Sequence, residues 1–300
     1  MEDVWRAHII MDMKQNTPKI LKMSIVECVD VKIAGTVSAR EISDMKFFVV
    51  SDVHGFYDEM IKALNDAGFD KDNKEHWLIS CGDEWDRGPK PVEVMKFFSK
   101  LERKTIIRGN HMELFEELCY RCYPQWHDNS NGTTDTVLRL GNYKEDREFD
   151  LCCERALNRT RKYRNDMVPY FETKNYIFVH SWIPLTVLDN LPAHYTRNRK
   201  YEFNPDWRNA SAAEWRAACW GNPFDNAAKG FLPNKTIVFG HWHASAGWAQ
   251  AEGRSEFGDD AKFDLYYGDG FISIDACTVH SGKVNVLVIE DEFLEGFYED

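Results

Sequence analysis

Five apolar runs in this chain each end in a short segment of carboxylate, imidazole or amide side chains. K-F-F-V-V (46–50) leads into Asp52 and His54, and H-W-L-I-S-C (76–81) into Asp83. T-I-I-R (105–108) leads into Asn110 and His111, Y-I-F-V (176–179) into His180, and T-I-V-F (236–239) into Gly240, His241 and His243. Short runs rich in β-branched and aromatic residues read as buried strands. Side chains two residues apart at a strand end point the same way, so Asp52 and His54 converge on one point. Open α/β sheets gather ligand-binding groups at the carboxyl ends of their strands. The pattern therefore predicts an α/β chain with five sets of polar groups collected at one edge.

Those groups are metal-ligating types. Alone, a D-x-H or a G-N-H signifies little; the convergence of all five segments carries the reading. Mixed oxygen and nitrogen donors suit manganese, iron, zinc or nickel better than calcium. No cysteine belongs to the set, which argues against a thiolate zinc site. The two oxygens of Asp83 can bridge a pair of ions. Such a pair can clamp an in-line displacement at phosphorus and acidify a bridging water. Arg87, in D-R-G, offers a planar fork for phosphate oxygens. Asp86 can orient a histidine. His111, beside Asn110, is placed to protonate a leaving alkoxide.

The segments S-D-V-H-G (51–55), G-D-E-W-D-R-G (82–88), G-N-H (109–111), V-H-S (179–181) and G-H-W-H (240–243) resemble the motif blocks of calcineurin-like metallophosphoesterases. The D-R-G form resembles the phosphoprotein phosphatase branch. Within it the chain is similar to bacterial and phage serine/threonine phosphatases and to the related symmetrical diadenosine tetraphosphatases. The stretch 272–290 resembles the I-D-T-G ending of those enzymes, so the resemblance runs from Phe47 to Glu290. It implies a four-layer αββα sandwich of two mixed sheets and two divalent ions, manganese first, with iron, zinc or nickel as alternatives. It assigns Asp52 and His54 to the first ion, Asp83 to both, and Asn110, His180 and His241 to the second. His243 would reach the first ion, as in the broader G-H-x-H families. His111 would be the acid, Asp86 its orienting partner, and Arg87 with Asn110 the phosphate-binding pair.

Several positions depart from the family pattern. Ser51 replaces a glycine. Met112 stands where a glutamate is usual, with Glu113 one residue later. Ser181 and Trp182 replace two glycines, and the indole is expected to reshape the cleft floor. Trp220-Gly221-Asn222-Pro223 resembles a W-S-D-P segment, but no arginine follows nearby. Arg208, Arg216 and Arg254 are the candidates for a second phosphate-binding arginine.

The rest of the chain sets limits. Its 300 residues, 43% hydrophobic, can bury a sizeable core. No apolar run reaches membrane-span length and the N-terminus lacks a signal-peptide pattern, so a cytoplasmic location is expected. A net charge of −12 opposes binding to nucleic acid. The eight cysteines include Cys119-x-x-Cys122 and the adjacent Cys152 and Cys153, read as reduced thiols rather than a metal or redox site. Helical patterns fall at 57–67, 91–102, 111–121 and 210–218. Residues 1–44 form an N-terminal extension in which 24–33 alternates like an added strand. Residues 45–300 form one catalytic domain with insertions near 123–148, read as a polar loop or cap, and 184–234. His127 can face the cleft from the first insertion, although His76, His127, His194 and His280 lie outside the ligand pattern.

The expected activity is hydrolysis of phosphomonoesters, with phosphoserine or phosphothreonine in proteins ahead of small molecules. Cleavage of dinucleoside polyphosphates is the alternative, and a non-catalytic binding module ranks third. Monoesters rank first because no lysine- or arginine-rich cluster accompanies Trp182, Trp220, Trp242 and Trp248. Oligomeric state is not legible in the sequence.

Overall fold

The computed structural model describes residues 45–144, 148–188 and 200–294. The strand expected at 24–33 lies outside them. The first sheet has the order β11-β1-β2-β3, with β1 (Lys46–Val50), β2 (His76–Ser80) and β3 (Lys104–Ile106) parallel and β11 (Leu287–Glu290) antiparallel to β1. The second has the order β4-β5-β8-β10-β9. Here β5 (Tyr176–Phe178), β8 (Thr236–Phe239) and β10 (Phe271–Ser273) are parallel, while β4 (Phe171–Glu172) and β9 (Tyr266–Gly268) run antiparallel at the edges. A two-stranded ribbon pairs β6 (Thr186–Val187) with β7 (Tyr201–Glu202).

Alternation along each strand builds the layers. Phe48, Val50 and Leu78 enter a core with Met60 and Leu64 of α1 (Tyr57–Asp66), Val94 and Phe98 of α2 (Pro91–Lys100), and Phe115 of α3 (Asn110–Arg121). The intervening Phe47 and Trp77 turn to the opposite face. Phe47 meets Phe171 of the second sheet, and both Phe47 and Trp77 meet Phe293. In the second sheet Ile177, Ile237 and Phe239 pack outward against Trp215 of α7 (Ala212–Ala218), Phe224 of α8 (Pro223–Ala228) and Ala246 of α9 (Ala244–Glu252). Two mixed sheets thus lie face to face with helices outside each, the αββα order expected. Among the described residues no helix is long and apolar enough to cross a membrane.

Two expectations are corrected. Residues 123–148 are not a loop: they contain α4 (Trp126–Asn131), α5 (Thr133–Leu140) and the lead into α6 (Phe149–Asn165). The segment looked polar because its inward stripe is small and partly hydroxylic, Thr133, Thr136, Val137 and Leu140, all buried. Trp182 does not floor the cleft. It is fully buried in the second core against Phe239.

The 184–234 segment is anchored by aromatics and charge. Trp215 stacks on Tyr170 with centroids 5.0 Å apart, and Trp207 meets both rings. Buried Glu172 on β4 accepts two bonds from Arg208, at 2.9 and 2.6 Å, and pairs with Lys235 at 2.8 Å. Burial alone would raise the Glu172 carboxyl, but the Arg208 and Lys235 donors overcome it and hold it below its ordinary value. Its contribution is therefore complete above the unfolded carboxyl's pKa of about 4.3 and is lost as pH falls through the lower folded value. Glu172→Gln is expected to cost about 1–3 kcal/mol at neutral pH, tempered because Arg208 is partly exposed. Urea unfolding of both proteins at descending pH checks this: the gap should narrow below about pH 4.

Candidate metal centre

The candidate ligands sit near the ends of strands or at the start of a helix, and at several of them the backbone is bent. Asp52, His54, Asp83, Asp86, Arg87 and His241 all have φ between 48° and 74°. Non-glycine residues rarely adopt that region, and such strain gathers where geometry is fixed for chemistry.

Two groups of side chains share Asp83. His54, Asp83 and His111 bring one potential ligand atom each within 4.8 Å of one another, and so do Asp83, His180 and His241. Asp52 stands beside the first group, its Oδ1 3.9 Å from His54 Nε2, while its Oδ2 accepts from Ser51 Oγ at 2.5 Å and His241 N at 2.8 Å. Asn110 stands beside the second: its Oδ1 lies 2.7 Å from His180 Nε2 and 3.0 Å from His241 Nδ1. Main-chain carbonyls orient two of the imidazoles. His54 Nδ1 lies 2.8 Å from the carbonyl of Trp85, and His180 Nδ1 2.8 Å from that of Cys81, so each Nε2 is aimed at the centre. His243 stands outside both groups, with Nε2 3.9 Å from Asp275 Oδ2, but lines the same cavity.

His111 and Arg87 complete one wall. His111 Nδ1 lies 2.7 Å from Asp86 Oδ2, and its Nε2 lies 3.4 Å from Arg87 Nη2 and 3.9 Å from Asp83 Oδ2. Asp86 is fully buried and is held by the insertion that reads as a loop in the sequence. Thr133 Oγ1 donates to Asp86 Oδ2 at 2.6 Å, and Asp86 N donates to Thr136 Oγ1 at 3.0 Å. Sequence reasoning missed these threonines; an S/T pair at i, i+3 opening a helix was the only local signal.

The cavity over these groups measures about 430 Å³. Leu114, His127, Asn131 and Trp220 also line it. Trp220 is about half exposed and its Nε1 donates to Glu113 Oε2 at 2.8 Å. Glu113 thus serves the rim of the cleft. Ser181 Oγ donates to the Gly221 carbonyl at 2.8 Å, tying the W-G-N-P segment to the end of β5. None of Arg208, Arg216 and Arg254 lines the cavity. Trp248 lies under Lys262, whose Nζ is 3.1 Å from the ring centroid.

Residues 45–245 match the calcineurin-like phosphoesterase family. The chain belongs to that family. It is homologous to the asymmetrical bis(5'-nucleosyl)-tetraphosphatase of Bacillus velezensis, 42% identical over 76 residues, 22% of this chain and 30% of that protein. It also matches the symmetrical bis(5'-nucleosyl)-tetraphosphatase of Coxiella burnetii, 26% identical over 155 residues, 50% of this chain and 48% of that protein. The chain thus spans less than half the length of these relatives. A serine/threonine phosphatase structure from Saccharomyces cerevisiae superposes with a TM-score of 0.45 at 13% identity, covering 85% of this chain and 82% of that one.

Family members bind divalent metals, and the donor set here fits them. Burial lowers His54 well below its ordinary pKa, aided by Arg87 and His111. Burial likewise takes His241 down to about 3 and His243 to about 4. Neutral imidazoles are the ligating form. Burial opposes charge on His180 too, but Asp83 and Asp52 prevail and push it up to about 9. Burial would also raise Asp83, yet His180, His111 and His54 hold it well below the carboxylate range. A divalent cation set among these carboxylates and imidazoles would take over the role of that proton and leave His180 neutral. Asp83→Asn removes the charge common to both groups. Inductively coupled plasma analysis after metal loading and desalting should find fewer divalent ions bound per chain than in the wild type. Unchanged metal content would remove Asp83 from the ligand set.

Proposed function

We propose that this metallophosphoesterase hydrolyses nucleotide phosphoanhydrides, dinucleoside polyphosphates of the diadenosine tetraphosphate kind being the best fit. The observation that carries the reading is Trp220: a half-exposed indole, tethered by Glu113, lines the cavity that holds the candidate ligands. Such a ring offers a stacking face for a nucleobase. The named relatives support the same order, since both are bis(5'-nucleosyl)-tetraphosphatases. This reverses the ranking drawn from sequence, where scarcity of basic residues put monoesters first.

Asp52, His54 and His243 would hold one divalent ion, Asn110, His180 and His241 another, with Asp83 common to both. Ions so held would neutralise phosphoryl charge and lower the pKa of water. Arg87 binds the non-bridging oxygens of the reacting phosphoryl group, assisted by the Asn110 amide. His111 donates a proton to the leaving oxygen from Nε2 of its imidazolium, whose Nδ1–H is held by Asp86 and stays there when the neutral ring is left. A nucleoside polyphosphate leaves readily without a proton; an alkoxide does not. His111→Asn should therefore slow alkyl phosphates by about 10²–10⁴-fold but aryl phosphates and diadenosine tetraphosphate distinctly less. Equal losses on all three would make His111 a positioning residue.

Substrate ranking is tested with the manganese-loaded full chain. The expected kcat/KM for diadenosine tetraphosphate exceeds that for phosphoserine and phosphothreonine peptides and for p-nitrophenyl phosphate by about tenfold or more, the equivalent of one added stacking contact. A phosphopeptide above the dinucleotide would restore the monoester reading.

A further inference from the structure

We infer that His127, held by Asp128, is a specificity-determining residue that binds a phosphate beyond the reacting one. The inference rests on the polyphosphate reading of this cleft. It starts from a deficit. A polyphosphate brings additional negative charge with each phosphate, yet the arginines that the sequence nominated are elsewhere. Arg208 is committed to Glu172, Arg254 pairs with Glu252, and Arg216 does not line the cavity. Beyond Arg87, His111 and the candidate ligands, the polar side chains lining the cavity are His127, Asn131 and Trp220, and Trp220 Nε1 is engaged by Glu113.

His127 is built in rather than loosely exposed. Its Nε2 lies 3.4 Å from Asp128 Oδ1, and its side chain is 39% exposed. Asp128 is itself fully buried, bonded through Oδ2 to Arg121 and to Gln125 N, leaving Oδ1 with no hydrogen-bond partner. That oxygen faces the imidazole. Asn131 Nδ2 donates to the His127 carbonyl at 2.9 Å, so both cavity residues move as one turn of α4. The next residue fixes where that turn sits. Gly132, with φ +78°, packs so closely on the Arg87 backbone that a Cβ there would lie 2.5 Å from Arg87 N. Arg87 and His127 therefore belong to one wall. An imidazolium between a carboxylate and a phosphate donates one N–H to each. That geometry gives the arriving anion a directed donor next to the arginine that takes the reacting phosphate.

The test compares orthophosphate and tripolyphosphate as inhibitors of p-nitrophenyl phosphate hydrolysis, at fixed free manganese, in the wild type, His127→Ala and His127→Lys. The readout is the ratio of the two inhibition constants, which cancels general damage to the centre. A charge-assisted hydrogen bond predicts that His127→Ala lowers the preference for tripolyphosphate by about tenfold or more, and that His127→Lys restores part of it. An unchanged ratio in His127→Ala overturns the inference, as does parallel weakening of both inhibitors. If the ratio falls while the wild type fails to cleave diadenosine tetraphosphate, the anion site stands and the proposed substrate falls. If the wild type cleaves it and the ratio is unmoved, the substrate stands and this residue's role falls.

Discussion

The Asp83 carboxylate is where both sheets must agree. Its main-chain carbonyl accepts the His54 amide at 2.9 Å and its Oδ1 accepts the His111 amide at 3.0 Å, while Oδ2 lies 3.4 Å from His180 Nε2. The ends of β1, β2, α3 and β5 therefore meet on one residue. Crowding of this kind leaves no room for neighbouring side chains. A Cβ at Gly109 would lie 2.1 Å from Asp83 Oδ1, and one at Gly240 would lie 2.0 Å from Asp52 Oδ2. The glycines preceding Asn110 and His241 are thus demanded by space.

Holding that arrangement is costly, and the cost is met outside it. Ligands in the left-handed region each carry on the order of 1 kcal/mol or more of strain. Buried carboxylates add repulsion until cations arrive. Burial raises Asp52, and nearby Asp83 adds to the rise. The two cores flanking the sheets, one built on Phe48, Leu78 and Phe98 and the other on Ile237, Phe239 and Trp215, supply the apolar burial that tolerates both.

How much of this the sequence reveals depends on how local each feature is. Strand runs followed by ligands are local, so the sheets, the helices near 57–67 and 91–102 and the gathered set were legible. The partners of Asp86 were not, because Thr133 lies 47 residues away and its hydroxyl has no distinguishing context until α5 packs against the D-R-G turn. Trp182 was misread for the opposite reason: its nearness in sequence to His180 suggests the cleft, but β5 ends at Phe178 and beyond it the chain carries the indole into the second core against Phe239. Glu113 shows a third case. In the sequence it is only a glutamate one residue later than the family pattern, whereas the helix turns that position toward the cleft rim and Trp220.

The walls of the cleft have separate origins, and this bears on how such a chain acquires a substrate. The strand ends supply the candidate ligands. Trp220 comes from the segment 184–234, tied to β5 by Ser181, and His127 comes from 123–148, tied to the D-R-G turn by Gly132 and Thr133. In a chain of net charge −12, attraction for anions has to be local. Each wall is fixed to the centre through a main-chain or hydroxyl contact and not through a ligand side chain. Residues on the walls can therefore change which phosphate is admitted while the geometry around Asp83 stays the same, whereas a change at Asp83 disturbs every element that ends there.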